Sequence, residues 1–556
     1  MGFSQGAADL RFRPMNLKAQ PYTAHVDSFA RDNLPPRAEW PELIFDIPEV
    51  RYPERLNCVV ELLDKTVAAG YGERPAIRSP AGVLTYRDLL AQVNRIAHVL
   101  RDDLGLQPGN RVLLRGANNP MMAACWLAVV KAGCIAVATM PLLRAKELKP
   151  VIDKAACNAA LCDINLREEM EVVRAQCPAL GRTLYFNTIG SDAVDTLAVA
   201  KPTEFEAVDT AADDVCIIAF TSGTTGVPKG TMHFHRDVMA ICDCFPRSCL
   251  RPVPDDIFCG TPPLAFTFGL GGLLLFPMRF AASTLLLEKL TPTALLSAIE
   301  QYRPTICFTA PTFYRQMASV AFDYDIRSLR ACVSAGEALP LPTRQLWEKE
   351  TSVQLIDGIG ATEMLHIFIS AAGEEIRPGA TGKPIPGYRA CIVDDAGNVL
   401  PPGNVGRLAV KGPTGCRYLA DDRQRNYVQN GWNLTGDAYL QDADGYFVYQ
   451  SRTDDMIVSA GYNIAGPEVE DVLLRHPAVA ECAVIGVPDE QRGQIVKAFV
   501  VLKPGVVGDE ACVKTLQDFV KASVAPYKYP RAIEFRPALP RTETGKLQRF
   551  RLRSGG

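Results

Sequence analysis

The stretch FTSGTTGVPKG at residues 220–230 holds three glycines, four hydroxyl side chains and one lysine in eleven residues. It continues VCIIAFT (215–221), a largely apolar run that reads as a buried strand. A Walker loop sets its lysine directly after a glycine and a hydroxyl directly after the lysine. Here Lys229 follows Pro228 and precedes Gly230, so the phosphate-binding ingredients stand in another order. Gly223 and Gly226 let the backbone approach a ligand, and Thr221, Ser222, Thr224 and Thr225 add hydroxyl donors. Lys229 adds a mobile positive charge. Placed after a parallel strand, the loop is expected at the carboxyl edge of an α/β sheet, where such sheets bind ligands. A polyphosphate is the ligand these groups suit.

The flanking chain supports an α/β fold. LTYRDLLAQVNRIAHVLRDDLG (84–105) repeats apolar residues at helical spacing and ends on Gly105. RVLLRG (111–116) reads as a strand, MMAACWLAVVKAG (121–133) as a helix and CIAVATM as the next strand. The alternation recurs at 282–287, 305–309 and 330–333 and predicts parallel sheets with right-handed crossovers. After about residue 385 the texture becomes apolar–polar alternation with turns at DAGN and PPGN, which predicts a small antiparallel β subdomain over about 385–450. Beyond SRTDDMI (451–457) the chain reads helix, strand, strand, helix, strand, a small α+β lid. Residues 1–50 are proline-rich and irregular, an arm laid on the body.

Size and charge narrow the function. The 556 residues predict more than one domain. A net charge of −3 gives no reason to expect nucleic acid or an anionic membrane as partner. The apolar runs 121–143 and 270–287 carry Lys131 and Arg279 and are too interrupted to span a bilayer. The 17 cysteines contain no CxxC, and the N-terminus lacks an apolar signal core, so a reducing cytoplasm is expected. His233, His235, Cys242 and Cys244 invite a metal reading, but their spacing matches no zinc site.

Further stretches carry chemistry. At GIGATEMLH (358–366) a strand, VQLI (353–356), is expected to lead into a Gly-rich turn and then Thr362 and Glu363, a hydroxyl beside a carboxylate, the hard oxygen donors Mg²⁺ takes near phosphates. A helix N-cap is the plain structural reading of the same pair. NLTGDAYL sets Asp437 after a Thr-Gly turn, where its carboxylate suits two ribose hydroxyls, and Arg452 closes the same segment. Lys546 follows Gly545 in a basic tail and, taken alone, reads as solvated charge.

In their order, TSGTTGVPKG, GATE, TGD, SRTDD and PRTETGK resemble the acyl-adenylate-forming superfamily over nearly the whole chain. PPLAFTFGLG, TMHFHRD and DGIGATEMLHIF resemble its aryl-CoA ligase branch, whose members activate benzoate and 2-aminobenzoate. The resemblance implies an N-terminal domain over 1–453 that binds ATP and an aromatic acid, and a mobile C-terminal lid over 454–556 hinged at Asp454. It implies a phosphate loop from Thr221 to Lys229 and an adenine-lining segment at Gly336, Glu337 and Ala338. Asp357 would meet the adenine amine, with Gly358 beside it in the nucleotide site, and Thr362 the α-phosphate. Glu363 would hold Mg²⁺, Asp437 and Arg452 the ribose with Tyr449 packed nearby, and Lys546 would be the catalytic lysine. For the acid it implies Phe266, Thr267, Phe268, Gly336, Gly360, Met364, Leu365 and His366, and for coenzyme A it implies Gly461, Tyr462 and Lys528. Ile359 stands where many relatives have tyrosine, and Ser451 replaces a glycine. The expected reaction couples 2-aminobenzoate, or benzoate next, to coenzyme A through an acyl-adenylate, in a monomer or homodimer. Loading of an acid onto a carrier protein is the alternative.

Overall fold

The computed structural model describes residues 22–221, 228–453, 455–459, 462–489, 492–524, 526–541 and 547–553. Two large sheets carry the N-terminal body. One has six strands in the order Thr183–Phe186, Ala159–Asp163, Arg111–Arg115, Ile135–Thr139, Val215–Thr221, Lys229–Phe234. The other has nine, with a parallel centre from Leu355–Gly360 to Pro75–Ser79 and antiparallel pairs at both edges. A five-stranded antiparallel sheet follows, built on Arg389–Val393, Val405–Lys411 and Trp432–Gln441. The α/β class with a separate antiparallel subdomain is the architecture expected.

Local sequence explains the elements. In the helix Tyr86–His98, Thr85 accepts from the Asp88 amide while the Asp88 carboxylate accepts from the Thr85 amide, a reciprocal cap. The helix Pro120–Lys131 is apolar on every side and is buried all round between neighbours. The charge that argued against a membrane span, Lys131, is fully buried and donates to Asp64 and Asn94 at 2.6 Å each. Among the described residues no helix is long and apolar enough to cross a membrane. The arm from residue 22 is tied down by main-chain bonds, Val26 to Pro108 at 3.0 Å and Glu42 to Gly431 at 2.9 Å.

From Ile457 onward a hairpin, the helices Gly466–Leu473 and Glu510–Ser523 and a three-stranded sheet enclose their own core of Ile464, Val469, Leu473, Val500 and Leu516.

The strand Val215–Thr221 is parallel to Ile135–Thr139, as expected, and antiparallel to Lys229–Phe234, its hairpin partner, on its other side. Two local expectations are corrected. The Gly-rich segment after Val353 is no turn: the strand runs through Gly360 and pairs antiparallel with Ile367–Ser370. Likewise Thr435-Gly436 lies inside the strand Trp432–Gln441, where the register shifts opposite Arg407 and Ala409 and Gly436 takes φ +77°. That is a bulge, which re-aims a side chain without ending the strand.

Candidate active site

A cleft of about 1320 Å³ lies between the body and the C-terminal elements. It draws residues from Thr221 to Arg549, more than 300 positions of chain. Thr221 and Lys229 enter from the two feet of the hairpin, opposite each other in register. Gly336, Glu337 and Ala338 come from the turn after the strand Ala331–Ser334. Asp357, Gly358 and Gly360 come from the next strand, and Thr362 and Glu363 from the short helix Thr362–Met364 that follows it. Asp437, Tyr449 and Arg452 come from the antiparallel sheet, where Asp437 and Arg452 are cross-strand partners. Every described residue assigned to the nucleotide thus lines one cavity. Ser222, Gly223, Thr224, Thr225, Gly226, Asp454, Gly461 and Lys546 lie outside the described residues.

The charged groups are held in place. Arg452 Nη1 donates to Asp437 Oδ1 and to the Thr435 carbonyl, each at 3.0 Å. A methyl group on Gly436 would stand 2.6 Å from the Arg452 guanidinium, so the bulge glycine makes room for this pair. Burial raises the Asp437 carboxyl above its ordinary range while Arg452 draws it down. Burial likewise pushes Asp357 up to about 7, with Arg344 opposing. The backbone carbonyl of Asp357 accepts from Ser370 at 2.6 Å. Glu337 accepts from Thr312 at 2.7 Å.

Glu363 is 8 % exposed and its Oε1 accepts from the Tyr418 hydroxyl at 2.5 Å. Its other oxygen takes no hydrogen bond from any described residue. One hard carboxylate oxygen facing a phosphate-sized cleft, with Thr362 beside it, fits Mg²⁺ held mainly by phosphate and water. Tyr418 also accepts from Lys229 Nζ at 3.2 Å. Sequence reasoning missed this tyrosine, because nothing in GCRYLADD marks it; only the pairing of Tyr418 with Thr231 brings it under the hairpin.

The residues assigned to the acid divide. Gly336 and Gly360 line the cleft, whereas Phe266, Thr267, Phe268, Met364, Leu365 and His366 do not. Met364 and Leu365 are wholly buried in the main core. His366 lies directly behind Gly360, since a methyl there would stand 2.8 Å from the His366 carbonyl. Four rings surround the imidazole: Phe276 at 4.5 Å, Phe245 and Phe268 at 5.7 Å, and Phe308 at 6.5 Å. Burial lowers its pKa to about 3, so the ring is neutral. Nε2–H donates to the Phe268 carbonyl at 3.4 Å, which leaves Nδ1 as an acceptor with no partner among the described residues. Of the groups assigned to coenzyme A, Lys528 lines the cleft, but both Glu468 oxygens hold its ammonium at 2.6 and 2.7 Å.

His235 joins neither Cys242 nor Cys244. Its Nδ1 takes the Cys58 amide at 3.2 Å and lies 3.3 Å from the Cys58 thiol, in a buried cluster with Cys216.

The comparisons agree with this geometry. Residues 64–418 match the model of the AMP-binding enzyme family, and residues 468–546 match that of the AMP-binding enzyme C-terminal domain. The benzoate–CoA ligase of Thauera aromatica is 36% identical over 91% of this chain and 97% of its own. A crystal structure of an anthranilate CoA ligase with anthranoyl-AMP superposes with a TM-score of 0.88, at 34% identity over 92% of this chain and 99% of that one. A benzoate CoA ligase from Burkholderia xenovorans gives 0.82 at 30% identity, over 90% and 100%. The chain belongs to the AMP-binding enzyme family. Within it the chain is an AMP-forming acid–thiol ligase.

Proposed function

We propose that this ligase joins an aromatic carboxylate to coenzyme A through an aryl-adenylate, and that 2-aminobenzoate is its preferred acid. The observation that carries the reaction is the convergence of Lys229, Asp357, Glu363, Asp437 and Arg452 on one cleft. A carboxylate is a poor acyl donor because oxide would have to leave. Its oxygen attacks the α-phosphorus of ATP, pyrophosphate departs in line, and AMP becomes the leaving group of the second step. Both reactants are anionic, so cations must offset their repulsion first. Thr221 and Lys229 face the phosphate tail, Asp437 accepts from the ribose hydroxyls, and Asp357 accepts from the adenine amine. Thr362 and Glu363 would hold the α-phosphate and Mg²⁺, which supplies neutralising charge to the phosphates when bound. The Lys546 ammonium stabilises charge growing on the α-phosphate and the bridging oxygen. One such donor is worth about 3 kcal/mol, roughly a hundredfold in rate.

In the second step the thiol of coenzyme A attacks the acyl carbonyl and AMP leaves. Division of the chain near residue 453, with the C-terminal part turning about Asp454, would exchange the Lys546 face for the one bearing Gly461 and Tyr462. The interaction of Lys528 with Glu468 must open before that lysine can contact a phosphate of coenzyme A.

His366 supports the choice of acid. The acid would have to reach past Gly360 to meet it; there a planar ring suits the aromatic surroundings, and an unpaired Nδ1 acceptor matches the N–H of an ortho-amino group. The anthranilate CoA ligase structure supports the same reading. A second reading comes from the likeness to an amide bond synthetase, with a TM-score of 0.80 at 28% identity, in which an amine rather than a thiol takes the acyl group. Acid-dependent pyrophosphate release, with and without coenzyme A, across 2-aminobenzoate, benzoate, hydroxybenzoates and a medium-chain fatty acid is the deciding assay. Release of AMP and pyrophosphate with thioester formation is expected; ADP and orthophosphate would refute it.

A further inference from the structure

Beneath the phosphate side of the cleft lies a buried polar chain that no motif announces. Tyr418 is 1 % exposed. Its hydroxyl donates to Glu363 at 2.5 Å and accepts from Lys229 at 3.2 Å, and the same ammonium stands 5.1 Å from its ring centroid. The oxygen stands between opposite charges that, in direct contact, would cancel each other's field at the phosphates.

The chain continues downward. Arg417, fully buried, donates to Asp237 at 2.8 Å. The same carboxylate oxygen lies 3.8 Å from Nδ1 of His233, whose Nε2–H donates to the Thr362 carbonyl at 2.8 Å. The Tyr418 amide is fixed by Gln424 at 2.9 Å. Asp237, at the start of the helix His235–Phe245, thus lies between Arg417, the chain neighbour of Tyr418, and His233, which holds the Thr362 carbonyl.

We propose that Tyr418 is a positioning residue for adenylate formation: it holds the Lys229 ammonium and the Glu363 carboxylate apart at one fixed spacing, so that both are set before ATP arrives. The inference rests on the adenylation reading above. Tyr418→Phe keeps the ring and removes only the oxygen. A hydrogen bond to a charged group contributes about 1.5–3 kcal/mol, so the rate of pyrophosphate release should fall about ten- to a hundredfold. Mn²⁺ binding in the presence of a non-hydrolysable ATP analogue, followed by electron paramagnetic resonance, should weaken about tenfold. Thioester formation from synthetic aryl-adenylate should hold at the wild-type rate. A double-mutant cycle with Glu363→Gln should be strongly non-additive. Equal loss in both half-reactions with unchanged Mn²⁺ affinity would reduce Tyr418 to packing, and so would full activity. A wild-type chain that releases no pyrophosphate with any acid would defeat the adenylation reading and this inference together; an active wild type beside an unaltered variant defeats this inference alone.

Discussion

Arg541, from the C-terminal elements, reaches Glu337 of the N-terminal body at 3.4 Å and holds Glu481 at 3.0 Å with its other terminal nitrogen. One guanidinium thus ties both walls of the cleft. Glu337→Gln keeps the shape and removes the charge. The pair is partly exposed, so the change should cost about 0.5 kcal/mol of docking, roughly a two- to threefold rise in opening. Limited proteolysis between residues 453 and 466 reads this, and an unchanged cleavage rate counts against the tie.

Gly436→Ala should strike the ribose end of the site. Its φ of +77° strains any other residue, and the added methyl meets Arg452 at 2.6 Å. We expect a loss of about 1 kcal/mol in stability and a larger loss in ATP affinity, because Arg452 must leave Asp437. Isothermal titration with an ATP analogue beside urea unfolding separates the two. Equal effects would show that the bulge serves the fold alone.

Asp357→Asn should change how stability depends on pH. The carboxyl rises from 3.8 to about 7 in the folded chain. The folded state then keeps a proton that the unfolded state has released, so wild-type stability declines as pH climbs from about 4 to 7. The Asn variant lacks this slope. Its advantage should grow through that window and level off above it, as measured by urea unfolding at pH 5, 6, 7 and 8. Parallel curves would contradict the burial effect.

Lys546→Ala should abolish pyrophosphate release, by a hundredfold or more, yet spare thioester formation from synthetic adenylate. Rapid-quench measurement of each half-reaction tests this. Comparable damage to both would overturn the division of labour.

His366→Leu should lower kcat/KM for 2-aminobenzoate about tenfold more than for benzoate, since only the former can use the Nδ1 acceptor. A uniform decline across both acids would make this histidine a packing residue.

Much of this was legible because each motif carries its own chemistry. Lys229, Glu363, Asp437 and Arg452 each stand inside one of the quoted motifs, and all four meet in the cleft. Period-3.6 and period-2 patterns likewise marked the helix Tyr86–His98 and the antiparallel strands after 385. What failed was local geometry. Glycine runs signal a turn from sequence, yet a strand absorbs them where its partner accepts a bulge, as at Gly436, or continues pairing, as at Gly360. Tyr418 was invisible because its role comes from long-range pairing with Thr231, nearly two hundred residues away. Arg541 was overshadowed by the lysine five positions on, since its partners depend on how two parts of the chain meet.

The antiparallel pairing of Val215–Thr221 with Lys229–Phe234 separates two tasks. Lys229 is a strand residue, zipped to Thr221 and followed by Gly230 against Phe220. Whatever path residues 222–227 take around a nucleotide, the ammonium beyond them is anchored to sheet rather than to loop. Substitutions among those six positions should therefore tune how tightly ATP is gripped without moving the charge that steers it, leaving evolution, or an engineer, an independent dial for affinity.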